Sequence, residues 1–69
     1  MIFHRLRNLF TRISYFREIA KEGDRCILIR NQSQIIAEID VRLNNIVFLK
    51  INKSEELLRA HISEIYPYD

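Results

Sequence analysis

The sequence predicts a small α+β fold in the order α-β-β-β-α: a three-stranded antiparallel meander with two helices packed on one face. Three observations predict it. The first third of the chain carries apolar residues at helical spacing, the middle alternates polar and apolar residues, and the last segment returns to helical spacing. With 69 residues, the chain is expected to form one domain, 1–69.

The first helix is predicted from Phe3 to Glu22. Its apolar face is formed by residues separated by alternating steps of four and three, namely Ile2, Leu6, Leu9, Ile13, Phe16 and Ala20. Gly23 follows directly, and glycine enters the left-handed conformation of a helix cap without steric cost. We therefore expect the helix to end just before Gly23.

Three strands are predicted in the middle of the chain. Arg25–Arg30 is a short β-branched run that ends at a polar turn, 31–34. Ile35–Arg42 alternates apolar and polar residues, which is typical of a half-buried strand in an antiparallel sheet. The next turn is predicted at 43–45, because asparagine tolerates positive φ, and Ile46–Ile51 is the third strand.

The length of the second turn decides which residues of this hairpin face each other. A two-residue turn at Asn44 and Asn45 pairs Val41 with Phe48. A three-residue loop predicts a different set of pairs: Val41 with Val47, Ile39 with Leu49, and Glu38 with Lys50. The second register keeps one face wholly apolar and matches opposite charges, so it is preferred. It leaves Phe48 on the outer face.

A second helix is predicted after Asn52. Asn52 and Ser54 are good helix caps, and Asn52 with Glu55 has the spacing of a capping box. Pro67 would end the helix. Its predicted apolar face consists of Leu57, Leu58, His61, Ile62 and Ile65. The predicted core of the whole domain consists of Leu6, Leu9, Ile13, Phe16, Ile39, Leu49, Leu58 and Ile62.

Composition restricts the classes of function. A single cysteine, Cys26, excludes an internal disulfide and favours a reducing compartment, so a cytoplasmic location is expected. No apolar run approaches the ~20 residues that a membrane span needs, and arginines interrupt the N-terminal segment too early for a signal peptide. A net charge of +2 is too small to imply a polyanionic partner by itself.

No pattern in the sequence predicts an enzyme. Cys26 and His61 could be nominated as nucleophile and base, but both fall within predicted apolar faces. Glu38 and Asp40 share a strand face, where basic neighbours are close enough to neutralise them. The histidines and the cysteine have no metal-binding spacing, and the sole glycine is expected to cap a helix. We therefore expect no catalytic residue, metal, cofactor or small-molecule substrate.

The leading hypothesis is a protein-interaction module: an adaptor, regulator or inhibitor that docks on a larger protein or on a copy of itself. A homodimer is the expected form. The exposed sheet face is the predicted interface, because it combines apolar residues with a charged rim. Its predicted residues are Ile36, Glu38, Arg42, Ile46, Phe48 and Lys50.

The alternative hypothesis is a nucleic-acid-binding protein that uses the first helix. That helix carries five basic residues against two acidic ones, a balance of +3. The predicted nucleic-acid contacts are Arg5, Arg7, Arg12, Arg17 and Lys21. These residues flank both edges of the apolar face and do not form one stripe, which favours the protein-interaction hypothesis. Steep weakening of binding by salt would identify nucleic-acid binding.

Overall fold

The computed structural model consists mostly of β-sheet. It describes residues 2–52 and 55–68, and side chains from residue 11 onward within those ranges. In the described part, one helix is followed by five strands and a short 3₁₀ turn. The elements are α1 (Ile2–Ile19), β1 (Arg25–Arg30), β2 (Ser33–Leu43), β3 (Ile46–Ile51), β4 (Leu57–His61), the 3₁₀ turn (Ile62–Glu64) and β5 (Ile65–Pro67).

The predicted fold class is wrong, because residues 55–68 form no second helix. Leu58, Ala60 and Ile62 occupy every second position and turn away from solvent, so the apolar residues that suggested a helix also fit a strand. Pairing of this segment with β3 favours the strand over the helix, because it covers an edge of β3 that would otherwise be open. Asn52 adopts a φ of 58°, a turn conformation and not that of a helix cap. Ser54 lies outside the described residues.

The sheet is strongly rolled. Its strand order is β4-β3-β2-β1-β5, with all pairs antiparallel, so β4 and β5 form its two edges. In a flat sheet these edges would lie about 19 Å apart. The 3₁₀ turn alone joins them, and the four residue steps from His61 to Ile65 span at most about 14 Å. The two edges must therefore curve toward each other, and the sheet encloses its own core.

The long strand β2 allows this curvature. Its first half pairs with β1 and its second half with β3, so it belongs to both sides of the roll. A β-bulge at Asp40 bends it. The bulge also combines the two predicted registers. Val41 faces Phe48 beside the turn, as the two-residue turn requires, and Ile39 faces Leu49 beyond the bulge, as the preferred register predicted.

The core lies inside the rolled sheet. Its buried residues are Ala20, Cys26, Leu28, Ala37, Ile39, Val47, Leu49, Ala60, Ile62 and Ile65. The predicted core positions Ile39, Leu49 and Ile62 are thus confirmed. Phe16 and Leu58 are partly buried against the core, Ile13 is half-buried, and Leu6 and Leu9 lie outside the described side chains.

The chain leaves the helix earlier than predicted, at Ile19. A turn follows in which the backbone N–H of Asp24 donates to the carbonyl of Lys21 at 3.1 Å. Gly23 does adopt a positive φ, 93°, but within this turn and not as the helix cap. Its N–H donates to the carbonyl of Ile39 at 2.8 Å. The positive φ of Gly23 therefore lets the chain turn toward β2 and form this hydrogen bond with Ile39.

The turn between β1 and β2 provides a test of local backbone strain. Its two central residues have positive φ, 53° for Asn31 and 65° for Gln32, as in a type I′ turn. A side chain at Gln32 is strained in this conformation, whereas glycine is not. We expect Gln32→Gly to raise the free energy of unfolding by about 1 kcal/mol in urea titrations. Gln34→Gly, within β2, should lower it, and the opposite ranking would contradict this turn.

Candidate interaction surface

Side chains of the sheet alternate between the core and the opposite side, which we call the outer face. On β2, buried Ala37 and Ile39 alternate with more exposed residues, and on β3 buried Val47 and Leu49 alternate with half-buried or exposed ones. Five of the six predicted interface residues therefore share the outer face: Ile36, Glu38, Ile46, Phe48 and Lys50.

Charged residues divide this outer face into two apolar areas. Glu38 stands directly opposite Lys50, and the Nζ of Lys50 lies 3.9 Å from a carboxylate oxygen of Asp40. Ile36 and Phe48 lie on opposite sides of this charged group, each two residues along its own strand. The single apolar centre predicted from the sequence is thus two separate areas.

The first area, the hairpin patch, consists of Val41, Leu43, Ile46 and Phe48. Val41 faces Phe48 and Leu43 faces Ile46, so the four side chains form two neighbouring cross-strand pairs beside the turn. Leu43 is 61% exposed, and the other three are half-buried. Arg59 of β4 faces Phe48 from the other side and gives the patch a charged border.

The structure places Arg42, the sixth predicted interface residue, away from the other five. The bulge at Asp40 turns Arg42 to the core side of the sheet, opposite Val47. One guanidinium nitrogen, Nη1, donates to the carbonyl of Ala20 at 2.6 Å and to that of Glu18 at 3.4 Å. A cation suits these carbonyls, because the end of a helix carries partial negative charge. Arg42 therefore ties the sheet to the end of α1.

An ion pair occupies part of the open edge of β4. The guanidinium of Arg30 contacts both carboxylate oxygens of Glu64, at 3.0 and 3.1 Å. It also donates to the carbonyl of Arg59 at 3.2 Å, while Glu64 accepts the backbone N–H of His61 at 2.9 Å. The hydrogen bonds from Arg30, and then that from His61, lower the pKa of Glu64 below its usual 4.5. Two backbone groups that could pair with another strand are thus engaged within the molecule.

Arg17 closes the edge of β5 in a similar way. It donates to the carbonyl of Ile65 at 3.0 Å and to that of Ser63 at 2.7 Å. Its guanidinium carbon also lies 4.7 Å from the centre of the Tyr66 ring, a cation–π contact. Pro67 has no backbone N–H to offer a further strand. Side chains on the faces of the sheet, more than backbone groups at its edges, are therefore available to a partner.

The described residues of the nucleic-acid hypothesis lie in two places: Arg12 and Arg17 lie beside β5, and Lys21 lies apart from them, beyond the end of α1. Arg17 is held on backbone carbonyls. Arg12 borders a groove beside β5, whereas Lys21 borders a hollow near the end of α1. The side chains of Arg5 and Arg7 lie outside the described part.

Cys26 and His61, the pair considered for catalysis, lie on opposite sides of the sheet. Burial, and then the negative charge of Asp24, raises the pKa of the Cys26 thiol to about 11, so the nucleophilic thiolate is scarce near neutral pH. His61 is exposed, and its Nδ1 accepts the backbone N–H of Ser63 at 3.1 Å as the cap of the 3₁₀ turn. Among the described residues, no three potential ligands are grouped to hold a metal ion.

A second apolar area, the helix groove, lies between α1 and the outer side of β1 and β5. Its volume is about 340 Å³, and its described lining consists of Arg12, Ile13, Ile27, Ile29, Gln34, Tyr66 and Pro67. Ile36 faces Ile27 and extends this apolar surface. The groove was not predicted from the sequence, although Ile27 and Ile29 alternate with buried Cys26 and Leu28 and so make both faces of β1 apolar.

Comparison with family models, curated proteins and solved structures gives no significant match to this chain. Within the described residues, no helix has both the length and the apolar character that crossing a membrane requires.

Proposed function

We propose that this protein is a non-enzymatic interaction module whose copies associate through the hairpin patch. The observation that supports this proposal most strongly is the group of four adjacent apolar side chains outside the core. Leu43 in particular is 61% exposed although it belongs to a regular strand. Burial of such a group against a second apolar surface is favourable, because it removes apolar area from water.

The arrangement around Phe48 resembles the anatomy of a protein interface. An aromatic side chain lies between Val41 and Arg59 across the strands, and between Ile46 and Lys50 along its own strand. Interfaces commonly place an aromatic residue at an apolar centre and charged residues at the border. Phe48 is therefore the expected centre of the contact.

A second copy is the occupant that best suits the hairpin patch. A twofold axis through the patch sets the four apolar residues of one copy against the same four of the other and keeps the interface self-complementary. Lys50 and Asp40 at its border carry opposite charges, so the same axis can match them across the two copies. A domain of 69 residues buries a modest fraction of its surface, so added burial in a dimer is worth more to it.

We expect Phe48→Asp to abolish self-association, because it places a charge at the centre of the apolar contact. Sedimentation velocity over a range of concentrations should show a concentration-dependent dimer for the wild type and a monomer for the variant. Circular dichroism of the variant should remain that of a folded protein. Leu43→Asp, at a more exposed position, should give the same loss of dimer with less risk to folding.

Ile36→Asp is the matched control, since it introduces the same charge on the outer face but outside the hairpin patch. It should leave the dimer intact. A wild type that stays monomeric at all concentrations, or a Leu43→Asp variant that dimerises normally, would contradict the proposal. Binding to heparin that weakens steeply with salt would instead support the nucleic-acid alternative.

A further inference from the structure

We infer that the helix groove binds a segment of a partner protein in which a large apolar side chain is flanked by acidic residues. This site is separate from the hairpin patch and goes beyond self-association. It would make the protein an adaptor, with one surface for its own copy and another for a different protein.

The apolar character of the groove comes from three elements that meet there. Ile27 and Ile29 lie on the outer side of β1, and Tyr66 of β5 stands directly opposite Ile27. Ile13 of α1 faces them across the groove. Ile29 remains 38% exposed. A volume of about 340 Å³ has room for a large aliphatic or aromatic side chain, and its walls are formed by regular structure.

The charges around the groove indicate the chemistry of the partner. Arg12 lines the groove itself, Arg17 lines the adjoining hollow beside Tyr66, and Arg25 lines a second adjoining hollow. Asp24 is the one acidic residue in the described lining of these three spaces. The hydrogen-bond partners of Arg17 are neutral carbonyls, so they do not offset its positive charge.

This local excess favours an acidic partner over a second copy of the chain. The groove and its two adjoining hollows are lined by three cations and one anion, whereas the hollow beside the hairpin turn has two of each: Glu18, Glu22, Lys21 and Arg42. The hairpin end of another copy therefore offers no net negative charge to match this excess. A segment with acidic residues on both sides of an apolar anchor complements both the positive charge around the groove and its apolar floor.

The test uses a library of random dodecapeptides displayed on phage. Peptides are selected on the wild type, and those that also bind Ile29→Asp are removed. We expect the remaining peptides to be enriched in aspartate and glutamate around a leucine, isoleucine or aromatic residue. A synthetic copy of an enriched peptide should lose at least about tenfold in affinity for Ile29→Asp and for Arg12→Glu, which is about 1.4 kcal/mol.

Two matched variants serve as controls. Leu43→Asp introduces the same charge on the hairpin patch, and Lys21→Glu makes the same charge reversal away from the groove. Both should bind the peptide as the wild type does. Because Leu43→Asp blocks the proposed dimer but leaves the groove unchanged, failure of one proposal can be distinguished from failure of the other.

Several outcomes would overturn the inference. They are no enrichment on the wild type, enrichment of basic or uncharged peptides, or an equal loss of affinity in Leu43→Asp and Ile29→Asp. A single-stranded oligonucleotide that binds the wild type and Ile29→Asp equally, while no peptide is enriched, would indicate a polyanion site without an apolar anchor. If Ile29→Asp proves unfolded by circular dichroism, the peptide affinities of Arg12→Glu and Lys21→Glu are compared in its place. Equal affinities would then overturn the inference.

Discussion

Replacement of Ile39 by alanine should lower the free energy of unfolding by about 2–5 kcal/mol and leave much of the protein unfolded. Ile39 is fully buried opposite Leu49, inside the roll of the sheet. Its backbone is also bonded on both sides, to the carbonyl of Asp24 and the N–H of Gly23, so the strand cannot easily move to fill a cavity. A domain of this size has only a few kcal/mol to lose.

Two further alanine variants give the comparison that makes this result informative. Ile13 is half-buried on α1, so Ile13→Ala should cost about 1 kcal/mol. Ile36 is 56% exposed on the same strand as Ile39, and Ile36→Ala should change stability by less than about 0.5 kcal/mol. Urea titrations followed by circular dichroism measure all three. An equal decrease in the free energy of unfolding for Ile39→Ala and Ile36→Ala would contradict the assignment of the two faces of β2.

Local patterns in the sequence were sufficient to predict the three strands of the meander, β1, β2 and β3. β1 and β3 occupy the predicted residues, and β2 extends the predicted strand by a few residues. These strands are connected by two-residue turns whose asparagines mark them in the sequence. Each of these signals lies within a few residues of the structure that it predicts.

The end of the chain shows the limit of local patterns. The apolar residues between Leu57 and Ile65 fit the spacing of a helix and also that of a short strand, so periodicity alone could not distinguish the two. The strand is favoured by the pairing of β4 with β3 and of β5 with β1. The second pairing joins residues nearly forty positions apart in the sequence, such as Leu28 and Ile65, which no local window contains.

The candidate interaction surface was likewise predictable where it depends on the alternation of side chains along a strand. Alternation along β2 and β3 placed five of the six predicted residues on the outer face. Arg42 was assigned to the wrong side of the sheet, because an unpredicted bulge at Asp40 shifts the alternation by one residue. The helix groove was missed because α1 was expected to cover the core, whereas its main packing partner is β5.

The ion pair that joins β1 to the end of the sheet should make the fold sensitive to acid. Arg30 and Glu64 are 34 positions apart, and together they connect β1, β4 and the 3₁₀ turn. We expect Glu64→Gln to lower the melting temperature by several degrees near neutral pH. The neutral amide cannot form the charge-assisted pair with both guanidinium donors of Arg30.

The pH dependence follows from the lowered pKa of Glu64. A carboxyl whose pKa is lower in the folded than in the unfolded state stabilises the fold fully above its unfolded value. That stabilisation is lost as the pH falls from about 4.5 through the lower folded value. The difference in melting temperature between wild type and Glu64→Gln should therefore be greater at about pH 7 than at about pH 2.

Glu22→Gln provides the control for this experiment, since it makes the same chemical change at an exposed residue near the end of α1. It should leave the melting temperature close to that of the wild type at about pH 7, where Glu64→Gln melts lower. The wild type and Glu64→Gln differ at this one carboxyl group, so the comparison isolates the contribution of Glu64. The difference in melting temperature between wild type and Glu64→Gln could instead stay constant from neutral to acidic pH. That result would show that the ionised carboxylate does not hold the edge of β4 to Arg30.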